Sequence, residues 1–318
     1  MKRIPDRAAD TAQPSDGQAL RGTRKRIELK ALAKINLGLD VLGRRENGYH
    51  DVRMVMQSIY LYDDVKIERT KTPGIEVKTN LYFLPTDENN IAYKAAKMLI
   101  EEFQINEGVI ITLDKHIPVA AGMAGGSSNA AAVLFGMNKM FGLGLSQKEL
   151  MERGVQLGAD VPYCIMRGTV LAEGIGEELT VLPAMPKCTV LVAKPAISVS
   201  TKVVYEALDS KEIVAHPDID ALLSGLEKGS LHEVAAAMGN VLEDVTIPMY
   251  PVIEDIKNEM KAQGALNAMM SGSGPTVFGL FENKAQARKA QDKIREKALA
   301  KQVYVTNIHG ARRNEYGA

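Results

Sequence analysis

The run Pro118-Val119-Ala120-Ala121-Gly122-Met123-Ala124-Gly125-Gly126-Ser127-Ser128 has the composition of an anion-binding loop. Small side chains let a backbone approach a ligand closely, and glycine reaches positive φ without strain. Successive N–H groups of such a loop converge into a concavity that favours negative charge. A helix follows the run, so its unpaired first N–H groups and the positive end of its dipole act on the same spot. Ser127 and Ser128 add hydroxyls suited to phosphate oxygen or Mg²⁺. The loop lacks the Gly-Lys-Ser/Thr ending of a Walker A loop and the GxGxxG spacing of a dinucleotide loop. The bland explanation is a tight loop packed under a helix, and composition alone does not separate the two.

Four further features could do chemistry, each with an ordinary counterpart. Ser271-Gly272-Ser273-Gly274-Pro275 is a second glycine loop, or a plain turn. Lys34 and Asn36 share the polar side of a strand, which is also what a solvated strand face looks like. Asp160 follows Gly158-Ala159 and precedes Val161-Pro162, a common setting for a cap or turn residue. Tyr49-His50 follows the turn pair Asn47-Gly48.

The elements that must position these groups are legible from periodicity. Ala33, Ile35, Leu37, Leu39 and Val41 alternate with Lys34, Asn36, Gly38 and Asp40, the pattern of a half-buried strand. Strands are expected at Val52–Tyr62 and Val65–Arg69, parted by Asp63-Asp64, and at Val109–Leu113. Asn90–Phe103 reads as a helix. The glycine run opens a helix whose apolar stripe is Val133, Leu134, Met137, Met140 and Phe141, stopped by Gly142. Ser146 and Glu149 form a capping box that starts the next helix, which ends at Gly158 with Asp160 in the loop beyond. Strands at Thr169–Ala172 and Thr189–Ala193 flank a turn-rich stretch, with a domain boundary placed near Glu173. Helices near Thr201–Leu208, Ile219–Glu227, Leu231–Val241 and Pro251–Gln263 follow. Ala268–Phe281 carries the second glycine loop, and a helix (Lys284–Ala298) and strand (Val303–Ile308) complete an α+β second domain.

At 318 residues the chain exceeds what one core usually serves, which points to two domains: 27–172 and 173–318. Lys plus Arg balance Asp plus Glu, 39 against 39, which argues against a broad nucleic-acid-binding face. Cys164 and Cys188 are too few for a disulfide framework and fit a reducing cytoplasm. No apolar run is long enough for a membrane span. The five histidines are scattered, so no metal site is expected. Residues 1–26 carry seven basic and three acidic side chains without apolar periodicity, and read as a disordered or non-native extension.

Taken together, Ala33-Lys34-Ile35-Asn36, the 118–128 loop and the 271–275 loop resemble, in order and separation, the three blocks of the GHMP kinases. Asn47-Gly48-Tyr49-His50, Leu157-Gly158-Ala159-Asp160-Val161-Pro162 and the Gly125-Gly126 pair are similar to the branch of that family acting on a cytidyl diphosphate sugar alcohol. The resemblance runs from about Ile27 to the C-terminus. It implies an α+β, two-domain fold: an N-terminal ATP-binding domain like domain 2 of ribosomal protein S5, and an α+β C-terminal domain. The active site would lie between them. It implies transfer of the ATP γ-phosphoryl, with Mg²⁺ bound through the nucleotide, to the 2-hydroxyl of a methylerythritol unit, a step of the non-mevalonate isoprenoid route. By the same resemblance Asp160 is the catalytic base, and Lys34 stabilises the developing alkoxide and transferring phosphoryl. Residues Pro118–Ser128 hold the phosphates, with Asn90 and Lys115 near the adenine. Asn36 hydrogen-bonds the erythritol hydroxyls, Thr201 takes a substrate-contacting position, and Tyr49, His50 and Tyr205 take the cytosine.

Overall fold

The computed structural model describes residues 24–211, 213 and 215–310. The basic N-terminal extension therefore lies outside the described residues except for its last three positions. In chain order the elements are β1 (Arg26–Arg44), β2 (His50–Thr70), β3 (Ile75–Thr79), α1 (Ile91–Glu102), β4 (Gly108–Asp114), α2 (Gly125–Phe141), α3 (Gln147–Leu157), α4 (Val161–Met166), β5 (Thr169–Glu173) and β6 (Glu178–Val181). The rest are β7 (Thr189–Lys194), α5 (Thr201–Asp209), α6 (Ile219–Glu227), α7 (Leu231–Ala237), β8 (Gly239–Asn240), α8 (Glu243–Met249), α9 (Val252–Ala262), β9 (Asn267–Met270), β10 (Val277–Phe281), α10 (Lys284–Glu296) and β11 (Gln302–Asn307).

Two sheets organise them. The first runs β3-β4-β2-β1-β8, with β5 and then β6 joined to another stretch of β2. The second runs β11-β7-β10-β9. The sheets are packed so that Ala33, Ile35, Leu37, Val55 and Ile59 of the first share a core with Val190, Val192, Phe278 and Leu280 of the second, with α6 and α7 filling in. Alternate residues such as Leu191, Ala193, Val277 and Phe281 point to the opposite face, where α9 and α10 cover them. On the first sheet's outer face lies α2, which buries nearly every side chain, so its apolar stripe is part of an all-round buried helix.

Several expectations are revised. β1 is buried on both faces from Ala31 to Val41, so it is not a half-solvated strand. The chain from His50 to Thr70 is one strand, and Asp63-Asp64 does not interrupt it. Asp63 is fully buried because its carboxylate accepts from the backbone N–H groups of His116 and Ile117, from Asn129 and from Lys115. A polar residue so satisfied has no reason to break a strand. The helix expected over Leu231–Val241 stops at Ala237, because Gly239 and Asn240 pair in parallel with Gly38 and Leu39 of β1. Asp160 does not sit in an open loop but at the start of α4. β6, which lies past Glu173, still hydrogen-bonds to the first sheet.

Two slips in the β1–β2 register, the first with its extra residues in β2 and the second with Leu37 of β1 unpaired, decide where the polar residues of β1 point. Pairing with β2 slips between Leu32 and Ala33 and again between Asn36 and Gly38. Ala31, Leu39 and Val41 face the helices, whereas Ala33, Ile35 and Leu37 between the slips face the second sheet. The segment between the slips is thus turned over, which aims Lys34 and Asn36 toward the helix side.

Candidate active site

The 118–128 loop docks on β1: the Lys34 N–H donates to the Met123 carbonyl at 3.2 Å. Ala121 and Met123 are buried anchors. The backbone takes positive φ at Ala120 (50°), Gly122 (67°) and Ala124 (55°), alternating with residues of negative φ. The left-handed positions are therefore not the glycines the sequence singles out, apart from Gly122. Gly125 and Gly126 are instead the first residues of α2. A Cβ on Gly125 would lie 3.1 Å from Ile117 and 3.5 Å from the Lys115 ammonium, so this glycine serves close packing. α2 has no side-chain cap at Ala124, whereas α1, α3, α5 and α6 are capped by Asn90, Ser146, Ser200 and Asp218. Its first N–H groups are left for an anion, and the group they suit is a phosphate.

The second glycine loop is the backing of the first. Ser271 Oγ donates to the Gly122 carbonyl at 3.0 Å, and a Cβ on Gly122 would meet the Ser271 carbonyl oxygen at 2.2 Å. Asn240 holds this loop by donating to the Met270 and Gly272 carbonyls at 2.9 and 2.8 Å. Ser273 Oγ pairs with Thr201 Oγ1 at 2.9 Å, which ties the loop to the start of α5.

A cavity of about 660 Å³ opens beside these loops, lined among others by Lys34, Gly122, Ser127, Asp160, Gly272 and Ser273. Lys34 Nζ donates to Asn36 Oδ1 at 2.8 Å and lies 3.9 Å from Asp160 Oδ2. Asp160 occupies the cap position of α4 but makes no capping hydrogen bond, so its carboxylate is turned to the lysine. Lys34 is 5% exposed and Asp160 is partly open to the cavity, the pattern of a buried cation serving an accessible carboxylate.

The far wall consists of Tyr49, His50, Thr201, Tyr205 and Asp209. His50 and Tyr205 are in ring contact at 4.7 Å with a 42° tilt, and Tyr49 is 58% exposed at the rim. Burial, with the Asp160 charge second, pushes the Tyr205 phenol up to about 12, so it stays a neutral donor.

The remaining candidates are placed differently. Asn36 is fully buried; its amide donates toward Met54 sulfur at 3.5 Å, and the residue does not itself line the cavity. Ser128 is buried with its hydroxyl at the Cys164 thiol, leaving Ser127 as the serine of the 118–128 loop that lines the cavity. Asn90 uses its side chain within the loop, accepting from Ala92 N–H and donating to the Pro85 carbonyl. Lys115 is engaged by Asp63 and Asn129 beneath the start of α2. Asp63, Asn129 and Asp209 were not singled out from sequence. Their partners are 14 to 165 residues away along the chain, and no local pattern reports that.

Comparison with known proteins fits this arrangement. Residues 90–168 match the GHMP kinases N terminal domain and residues 222–300 the GHMP kinases C terminal domain. A curated relative from Lachnospira eligens, named 4-diphosphocytidyl-2-C-methyl-D-erythritol kinase, is 57% identical over 280 residues, 88% of this chain and 97% of its own. The chain belongs to the 4-diphosphocytidyl-2-C-methyl-D-erythritol kinases of the GHMP kinase family. A relative of the same name from Lachnoclostridium phytofermentans is 56% identical over 89% of this chain and 97% of its own. A crystal structure of a 4-(cytidine 5'-diphospho)-2C-methyl-D-erythritol kinase superposes with a TM-score of 0.77 at 32% identity, covering 90% of this chain and all of the other. A homoserine kinase from Cytophaga hutchinsonii shares the fold at TM-score 0.73 and 20% identity. Membership in this kinase family fixes the two-domain α+β class expected from sequence.

Proposed function

We propose that the chain transfers the γ-phosphoryl of ATP to the 2-hydroxyl of 4-diphosphocytidyl-2-C-methyl-D-erythritol, giving the 2-phosphate and ADP. The reading rests on one observation: Lys34, Asp160, the phosphate-loop residues Gly122 and Ser127, and the His50–Tyr205 ring pair line a single cavity. Phosphoryl transfer depends mainly on positioning and charge stabilisation. The N–H groups at the start of α2 and along 120–125 hold the phosphates. Asp160 accepts the proton of the attacking hydroxyl, and Lys34 supplies positive charge to the alkoxide as it forms. The ring pair and Tyr49 take the cytosine, whose flat apolar faces suit aromatic contact. Asn36, behind Lys34, orders the sugar alcohol side, and Thr201, held through Ser273, contacts the substrate. Asn90, at the start of α1, and Lys115, beneath α2, shape the nucleotide side.

Mg²⁺ would arrive on the nucleotide and neutralise phosphate charge. Among the described residues no group of three or more His, Cys, Asp or Glu could hold a metal ion, and Ser127 is the hydroxyl of the 118–128 loop that lines the cavity. No described helix is long and apolar enough to cross a membrane, and we place the enzyme in the cytoplasm with a small-molecule acceptor as its partner. Incubation with labelled ATP and a panel of acceptors tests the assignment. Label should appear on the cytidyl diphosphate sugar alcohol. Transfer to homoserine or mevalonate instead, or nucleotide binding without turnover, would overturn it.

A further inference from the structure

Asp209 closes the far end of the cavity, and no sequence motif points to it. It is the last residue of α5, and its Oδ1 lies 2.6 Å from Nε2 of His50. Its Oδ2 lies 3.3 Å from the Arg44 guanidinium at the end of β1. His50 pairs with Arg44 across the β1–β2 hairpin, so one carboxylate grips both strands at the mouth of the cavity. The imidazole is nearly buried, at 10% side-chain exposure, and its ring is pressed on Tyr205 one turn earlier on α5. The ring is therefore held from two sides by the same helix.

A carboxylate can only accept a hydrogen bond, so Nε2 must carry the proton. In the neutral imidazole the other nitrogen is then a bare acceptor. Nδ1 makes no hydrogen bond to a described residue. An acceptor at that place suits the exocyclic amino group of cytosine. Against uracil it meets the lone pairs of a carbonyl oxygen. We infer that Asp209 is a positioning residue for base selection: it fixes the Nε2–H tautomer and the orientation of His50, and thereby sets the preference for a cytidyl over a uridyl acceptor. Arg44 keeps the carboxylate turned toward the hairpin.

This rests on the cytidyl reading of the cavity, and the assay separates the two. Wild-type enzyme, Asp209→Ala and Asp209→Asn are assayed with the cytidyl acceptor and its uridyl counterpart at saturating ATP. If wild-type enzyme does not use the cytidyl acceptor, the functional reading fails. If it does, Asp209→Ala is expected to lower the cytidyl-to-uridyl ratio of kcat/KM by roughly tenfold or more, the scale of one charge-assisted hydrogen bond. Asp209→Asn, whose amide oxygen can still accept from Nε2, should keep most of the preference. KM for ATP should not move in either variant. A purely structural role would depress both acceptors alike, and an unchanged ratio in Asp209→Ala overturns the inference. Nitrogen NMR of labelled histidine gives a readout on wild-type enzyme alone: His50 should be the Nε2–H tautomer, and an Nδ1–H signature there also overturns it.

Discussion

Replacing Gly122 by alanine tests the idea that the two glycine loops act as one rigid cradle. Its Cβ would lie 2.2 Å from the Ser271 carbonyl oxygen, where real Cβ atoms keep at least 3.0 Å. The obstacle is backbone, so the loops must part by about 0.8 Å, the difference between those two distances. A displacement approaching 1 Å of a positioning group costs on the order of a hundredfold in rate. Gly122 also sits at φ 67°, which adds roughly 1 kcal/mol of backbone strain in alanine. Gly144→Ala isolates that second effect. Its φ is 74°, nothing lies within 4 Å of the added Cβ, and it sits between α2 and α3. The expected result is a loss of about a hundredfold in kcat/KM for ATP in Gly122→Ala and near wild-type kinetics in Gly144→Ala. Both should lose a few degrees of Tm. Wild-type kinetics in Gly122→Ala, with the variant folded, would refute the coupling of the two loops.

Three more outcomes follow from the geometry. Asp160→Asn should lower kcat by orders of magnitude with modest change in KM for either substrate, measured by steady-state kinetics; near-normal kcat removes Asp160 as the proton acceptor. Asp63→Ala strands the buried Lys115 ammonium and two backbone N–H groups, and should cost about 3–5 kcal/mol in chemical denaturation; a loss under 1 kcal/mol contradicts the buried network. Burial pushes the Cys188 thiol up to about 12 and raises that of Cys164 as well, so at pH 8 only about one Cys188 in ten thousand is thiolate. Alkylation by iodoacetamide should therefore be slow in native protein and fast in urea; fast native labelling would refute the burial.

Where local chemistry suffices, the sequence was a good guide. The Ser146–Glu149 capping box, the Gly142 stop and the strand over Thr189–Ala193 all appear where the sequence puts them. The candidates Lys34, Asp160, His50 and Tyr205 line one cavity, although only a family resemblance brings them together on paper. What was misread has long-range causes. Asp63 reads as a strand breaker until Lys115 and Asn129, remote in sequence, neutralise it. Lys34 and Asn36 read as a wet face because the sequence does not announce the register slips that turn the segment over. β8 reads as helix because two residues are too few to show a period, and its partners are Gly38 and Leu39 in another part of the chain.

That two-residue strand has a consequence for how the molecule can move and be divided. A segment lying after the second sheet has begun returns to pair with β1, and Ile308, almost at the end of the described chain, bridges to Ile59 of β2. The halves are therefore stitched at two points on the first sheet rather than joined by a single tether. A clamshell opening of the cleft would have to break those backbone hydrogen bonds and expose the core shared by the two sheets. Movement is then left to the β1–β2 hairpin and to α5, which line the far end of the cavity, and cutting the chain between β6 and β7 would uncover the β1 edge in the first piece and leave β8 without a sheet in the second.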